Sequence, residues 1–226
     1  MQPPRILTVC TANICRSPAT AVLLQWALGP LPLDVEITSA GTMADDGRPA
    51  CDLSAALVGQ YAATHGVQGR TDGHRSRRVT RADLEHADLI LALDRSHRAE
   101  LAKLHPGSRP RTFTLRQAAA AAAAVTDSLA RGELPPQAPP IPDGAGQRFT
   151  WWIEELDAAR AYTVGEPAPV SRAPVIDPLD VPDPHVVGYQ YHPVAMDLIT
   201  AAVQALADSL AVVDRFGAPD QRPHNA

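Results

Sequence analysis

The run Val9-Cys10-Thr11-Ala12-Asn13-Ile14-Cys15-Arg16-Ser17-Pro18 stands between a short apolar, β-branched segment, RILTVC at 5–10, and the helix-like ATAVLLQWAL at 19–28. A Cys-x5-Arg loop at a strand-to-helix turn can form an oxyanion cradle. Its backbone N–H groups converge, the helix N-terminus adds partial positive charge, and Arg16 can fork onto two phosphate oxygens. The same field is expected to lower the Cys10 thiol pKa and yield a thiolate nucleophile. Ser17 reads as an N-cap and Pro18 suits the first helical turn. With 19 arginines and three cysteines the bare spacing is weak. Its weight comes from its position, directly after an apolar strand and before Ser-Pro.

Outward from this loop, strands and helices alternate. A second strand is expected at 34–39 (DVEITS), a helix at 54–65, and a capped short helix opening at Thr80 and Asp83. A third buried strand follows at 88–93 (DLILAL), then a helix at 95–104 and a short strand at 112–115. Strands separated by helical segments imply βαβ units. The expected fold is therefore α/β, a three-layer αβα arrangement around a four-stranded parallel sheet, with the phosphate-binding loop after the first strand.

Beyond residue 115 the composition shifts. Residues 118–124 are seven consecutive alanines, expected as one helix over 116–131. Residues 132–146 are Pro/Gly-rich, 149–162 (FTWWIEELDAARAY) are helix-like, and 163–184 are again Pro-rich. Residues 193–216 carry apolar residues at helical spacing. Of the 22 prolines, 11 fall within 135–184.

Composition narrows the function. The 226 residues carry a net charge of -5, which argues against a general nucleic-acid binder. Three cysteines make no disulfide framework and suit a reducing, cytoplasmic setting. The opening MQPPRILTVC lacks the basic patch and long apolar run of a signal peptide, and no membrane span is expected.

The run 9–18 resembles the signature of the low-molecular-weight protein-tyrosine phosphatases, close to VCxGNICRSP. The resemblance continues through Ser39-Ala40-Gly41-Thr42, Gly73-His74-Arg75-Ser76-Arg77 and Ala87-Asp88-Leu89-Ile90-Leu91-Ala92-Leu93-Asp94. It resumes at Val181-Pro182-Asp183-Pro184, where the family carries its acid loop, and covers the final helix. It implies one domain over 1–216, with about 117–176 as an insertion; the polar residues 217–226 read as a disordered tail. The implied reaction is hydrolysis of phosphotyrosine in proteins through a cysteinyl-phosphate. Cys10 attacks phosphorus, Arg16 and the loop residues Thr11, Ala12, Asn13, Ile14, Cys15 and Ser17 hold the phosphate, and Asp183 serves as acid and then base. Ser17 would ease departure of the Cys10 sulfur, while Asn13, Ser39 and His74 hold the loop in shape. Cys15 matches a neighbour that forms a reversible disulfide with Cys10 under oxidation. No cofactor or metal is implied.

Two departures stand out. Ala12 replaces a usual glycine, a costly change if that position requires positive φ. His185-Val186 replaces the aromatic pair that often follows Asp-Pro, leaving Tyr189, Tyr191 or the two tryptophans to supply a wall beside an aryl ring. Asp177 and Asp180 compete with Asp183 for the acid role. Plainer readings stand beside these: Cys51 as inert, Arg75, Arg77, Arg78 and Arg81 as a solvated face, Trp151-Trp152 as packing. His185 and His192 have no carboxylate or cysteine cluster beside them in the chain, so no metal is expected there. The same fold and loop also support arsenate reduction. Related enzymes that complete this reaction within one chain relay oxidation through two further cysteines after its middle; no cysteine follows Cys51 here, so only a route through an external thiol stays open. A phosphate-binding module without turnover is the third reading.

Overall fold

The computed structural model describes residues 2–65, 71–133, 139–162 and 177–217. Four strands, β1 (Arg5–Cys10), β2 (Glu36–Gly41), β3 (Leu89–Ala92) and β4 (Thr112–Thr114), form an all-parallel sheet in the order β2-β1-β3-β4. Between them run α1 (Arg16–Leu28), α2 (Asp52–His65), α3 (Arg81–His86) and α4 (Arg95–Leu104). After β4 come α5 (Leu115–Arg131), α6 (Ala145–Ala159), the short α7 (Pro184–Val187) and α8 (His192–Gly217). This is the α/β plan the alternation predicts.

The strands are buried on both faces, so their apolar residues divide by period two. Ile6, Cys10, Leu89, Leu91 and Phe113 face a core built with α1, α5, α6 and α8. Leu7, Val9, Ile90 and Ala92 face a smaller one with Leu84 of α3 and Leu101 of α4. Both Thr80 and Asp83 take part in a capping box at α3, as the sequence predicts.

The alanine run makes α5 a thin helix. Ala118, Ala121 and Ala122 are fully buried, and small side chains let α8 approach closely. Ser209 of α8 donates to the Ala122 carbonyl at 3.0 Å and accepts from Trp152 Nε1 of α6 at 3.1 Å, tying three helices together. Trp151 and Trp152 are both buried, 3% and 1% exposed, so neither supplies a wall for a substrate ring. Helix α6 starts at Ala145, inside the Pro/Gly-rich stretch and ahead of the helix-like residues 149–162. Arg148 in its first turn is nearly buried and ion-pairs with Asp214 of α8, which accounts for the early start. Helix α8 is long and apolar enough by composition to cross a membrane, and half of that stretch is buried against the rest of the protein. Gly217, expected in a disordered tail, is instead the buried last residue of α8. The expected tail residues 218–226 and the Pro-rich 163–176 lie outside the described residues.

In a parallel sheet all C-terminal strand ends share one edge, where ligands bind. Here that edge gathers the loop after β1, the turn after β2 and the segment 181–183. The last is brought in by Val181 N–H donating to the Leu93 carbonyl at 2.9 Å.

Candidate active site

The loop after β1 is held from outside by its carbonyl groups. Those of Cys10 and Thr11 accept from Thr42 N and Met43 N, each at 2.9 Å. That of Ile14 accepts from Cys51 N at 2.6 Å, and that of Cys15 from Ser54 Oγ at 3.1 Å. The Asn13 carbonyl accepts from His74 Nε2 at 2.6 Å. In a trans peptide the N–H points opposite to the C=O. Turning these carbonyls outward therefore turns the amides of Thr11, Ala12, Ile14, Cys15 and Arg16 toward the concave side, an anion cradle.

Asn13 is the loop's pivot. Its φ of 53° makes it the non-glycine residue in the left-handed region among those described. Its fully buried amide is saturated: Nδ2 donates to Ser17 Oγ and Ser39 Oγ, both at 2.9 Å, and Oδ1 accepts from Arg77 N at 3.0 Å. Because the left-handed turn falls on Asn13, Ala12 carries no such strain and its departure from glycine is tolerated. Glycine is needed instead at Gly41, where a Cβ would lie 2.5 Å from the Thr11 carbonyl oxygen and 2.9 Å from Asn13 N.

Cys10 is buried at the mouth of this loop with Sγ 3.0 Å from Ser17 Oγ. Ser17 is not the N-cap the sequence suggests. Helix α1 begins at Arg16, Cys15 occupies the cap position without a side-chain cap bond, and the Ser17 hydroxyl faces the sulfur.

Arg16 is 2% exposed and fixed on three sides. Nη1 donates to Val181 O at 3.0 Å and to Asp94 Oδ2 at 3.2 Å, while Nη2 lies 3.3 Å from Thr11 Oγ1 and 2.5 Å from Asp183 Oδ2. The structure thus separates the three competing carboxylates. Asp177 and Asp180 pair with Arg95, and Asp183 alone of the three meets Arg16. Asp183 also caps α7, its Oδ1 accepting from His185 N at 3.0 Å.

Sequence reasoning missed the support behind Arg16. Asp94 caps α4 and its carboxyl is held below the usual range: burial opposes ionisation, but His97, Ser96 and Arg16 outweigh it. His97, 3% exposed, bonds Thr11 Oγ1 through Nε2 at 2.8 Å, and burial pushes its pKa down to about 4, against the pull of Asp94. Its Nδ1 lies 3.1 Å from Asp94 Oδ2 without the alignment of a hydrogen bond. A histidine one turn into a helix behind Asp94 was the available signal.

Around the loop, Tyr189 is 63% exposed and edge-on to His185, with ring centroids 5.4 Å apart, whereas Tyr191 is half-buried. Met43, Leu53, Val186 and Tyr189 form exposed apolar positions on the segments bordering the loop. Cys15 is buried, and burial, together with neighbouring Cys51, pushes its thiol up to about 12. The expectation that no cysteine accompanies His185 and His192 fails in space: Cys15 and Cys51 lie beside them, with α2 and α8 packed together. All three cysteines are free thiols.

Residues 5–131 match the family described as low molecular weight phosphotyrosine protein phosphatase. Over 115 residues the chain is 35% identical to a protein-arginine-phosphatase of Geobacillus stearothermophilus, covering 51% of this chain and 71% of that one. It is 39% identical over 112 residues to the low molecular weight protein-tyrosine-phosphatase Etp of Escherichia coli K12, covering 50% and 69%. The solved structure of the YwlE arginine phosphatase from Geobacillus stearothermophilus superposes with a TM-score of 0.57 at 23% identity, over 92% of this chain and 94% of that one.

Proposed function

Because the chain belongs to the low molecular weight phosphotyrosine protein phosphatase family and is a hydrolase of that kind, we propose that it hydrolyses phosphotyrosine in proteins, with Cys10 as nucleophile, Arg16 as phosphate clamp and Asp183 as general acid and base. The observation that carries this reading is the convergence of the three groups at one strand edge. Arg16 follows the Cys10 loop and meets Asp183 at 2.5 Å across 167 positions of sequence.

In this reading the phosphate enters on the inward amides and displaces Asp183 from Arg16, whose guanidinium is kept in place by Asp94 and Val181 O. The Cys10 thiolate attacks phosphorus in line as the P–O bond to the leaving phenol breaks, and Asp183 gives that oxygen its proton. Water then attacks phosphorus, Asp183 takes the water's proton, and the P–S bond breaks. The Ser17 hydroxyl, supported by Asn13 Nδ2, donates to the departing sulfur. Thr11, Ala12, Ile14 and Cys15 contribute the cradle through their backbone, and Ser39 and His74 brace it through Asn13.

The exposed apolar side chains of Met43, Leu53, Val186 and Tyr189 beside the mouth suit docking of a protein substrate. Tyr189 offers the aromatic face that His185-Val186 does not. A second reading, phosphoarginine in proteins, is favoured by the name of the Geobacillus relative and by the missing aromatic pair. The free thiols fit a cytoplasmic setting. The stretch 117–176 is read as an addition to the family plan; the family match reaches residue 131, within it, and helices α5 and α6 both pack on the main core.

The test is turnover of phosphotyrosine, phosphoarginine and phosphoserine peptides by wild type, Cys10→Ser and Asp183→Ala. Phosphotyrosine hydrolysis abolished by Cys10→Ser is expected. Preference for phosphoarginine replaces the first reading by the second, and turnover unaffected by Cys10→Ser overturns both.

A further inference from the structure

Four chain segments place ligating atoms together beside the phosphate loop. Cys15 comes from the loop, Cys51 from the turn before α2, His185 from the acid segment and His192 from the start of α8; their ligating atoms all lie within 4.8 Å of one another. Tetrahedral zinc, with Zn–S of about 2.3 Å and Zn–N of about 2.0 Å, separates its ligand atoms by roughly 3.3–3.8 Å. Cys51 Sγ and His192 Nε2 are already at 3.4 Å.

The orientation of His192 is that of a ligand. Its Nδ1 is 2.8 Å from the Tyr189 carbonyl, which can only accept, so the proton sits on Nδ1 and the Nε2 lone pair faces Cys51. His185 packs edge-on against His192, with centroids 5.3 Å apart, and against Tyr189, which steadies its ring. Cys15 and His192 are buried, Cys51 is half-buried and His185 is exposed. Three ligands thus form a floor, and the fourth closes it from the solvent side.

We propose that Cys15, Cys51, His185 and His192 bind zinc(II), and that the bound ion ties the acid segment to the phosphate loop and slows turnover. Two Zn–S and two Zn–N bonds form as both thiol protons leave to water, so the dication meets two thiolates and the site is neutral. The high proton affinity that burial gives Cys15 is overcome by the metal's own charge. A donor set of two sulfurs and two imidazoles selects zinc over magnesium or calcium, which take oxygen. The effect on catalysis follows from connectivity. Arg16 is the residue after Cys15, and Asp183 accepts a hydrogen bond from His185 N. Fixing Cys15 and His185 on one ion therefore holds the Arg16–Asp183 pair closed against the entering phosphate.

The 226-residue chain, reduced, is titrated with cobalt(II) and then zinc(II). Wild type and Cys10→Ser are expected to develop the visible absorption of tetrahedral cobalt with thiolate charge-transfer bands, discharged by zinc. Cys51→Ser and His185→Ala should lose them. Zinc should inhibit wild type at concentrations at least about tenfold lower than Cys51→Ser, whose metal-free activity should equal that of wild type. His185 is exposed, so its removal reports on the site even if Cys51→Ser perturbs packing. Absence of the bands in wild type, their persistence in Cys51→Ser, or their loss in Cys10→Ser, which would place the metal on the nucleophile, overturns the site. Binding without inhibition overturns the regulatory half. The cobalt spectra read out without any substrate, so their outcome is independent of the phosphatase reading.

Discussion

Arg16 Nη2 and Asp183 Oδ2 lie 2.5 Å apart, so the group proposed to clamp phosphate is paired with the group proposed to protonate the leaving oxygen. One guanidinium face cannot serve a carboxylate and a phosphate at once, so substrate must open this pair. Asp183→Asn is therefore expected to act in two directions. Loss of the acid should lower kcat by about 10²–10⁴-fold. Loss of the competing charge should tighten inhibition by inorganic phosphate about fivefold, matching an ion pair of about 1 kcal/mol. Steady-state kinetics with phosphate as inhibitor checks both, and an unchanged or weaker inhibition constant would refute the competition.

Ser17 tests the second half of the cycle. Its hydroxyl is 3.0 Å from Cys10 Sγ and receives a hydrogen bond from Asn13 Nδ2, leaving its proton for the sulfur or, at 3.3 Å, the Ala40 carbonyl. A donor to sulfur matters most when sulfur is the leaving group. Ser17→Ala should therefore slow hydrolysis of the cysteinyl-phosphate more than its formation. Rapid-mixing experiments with an aryl phosphate should show a burst of phenol followed by slower steady turnover. A variant slowed equally in both phases would assign Ser17 to the geometry of the loop alone.

The strands and the loop after β1 were legible because their information is local: short continuous apolar runs, then a contiguous Cys-x5-Arg run. The Val-Pro-Asp-Pro setting singles out Asp183 in the sequence, but the contact that sets it apart from Asp177 and Asp180 in space is not local. The separation also depends on Arg95, a helix residue 82 and 85 positions away, engaging both competitors. The cluster of Cys15, Cys51, His185 and His192 was equally hidden. Its members pair only because α2 and α8 pack against each other, and linear spacing carries no trace of that contact. Ser17 shows the reverse failure. A Ser-Pro step at a helix start is a good local capping signal, and the nearby sulfur overrode it.

Asn13 joins backbone conformation to the loop's hydrogen bonds, and two substitutions separate them. Asn13→Ala removes the three side-chain hydrogen bonds and places a Cβ-bearing residue without local polar compensation at φ 53°. Asn13→Gly loses the same bonds but accepts the conformation. Denaturant unfolding should show both variants destabilised, by about 2–4 kcal/mol for alanine. Glycine should be the milder by about 1 kcal/mol, and both should lose most activity. Equal destabilisation would mean that the loop relaxes out of the left-handed turn.

His97 sets a pH dependence whose sign follows from its burial. In the folded protein its pKa falls to about 4, against an ordinary value of 6.5, because charging the buried ring between Asp94 and Arg16 costs more than the Asp94 carboxylate returns. Between these values the unfolded chain binds more protons than the folded one, so stability rises with pH. The contribution is complete above about pH 6.5 and is lost as pH falls toward 4, amounting to at most about 3 kcal/mol. His97→Gln retains an acceptor and a donor toward Thr11 but cannot titrate. Urea unfolding at pH 7.5 and 5.0 should show wild type losing more stability on acidification than the variant does. Parallel losses in the two proteins would show that burial does not hold the His97 pKa below its value in the unfolded chain.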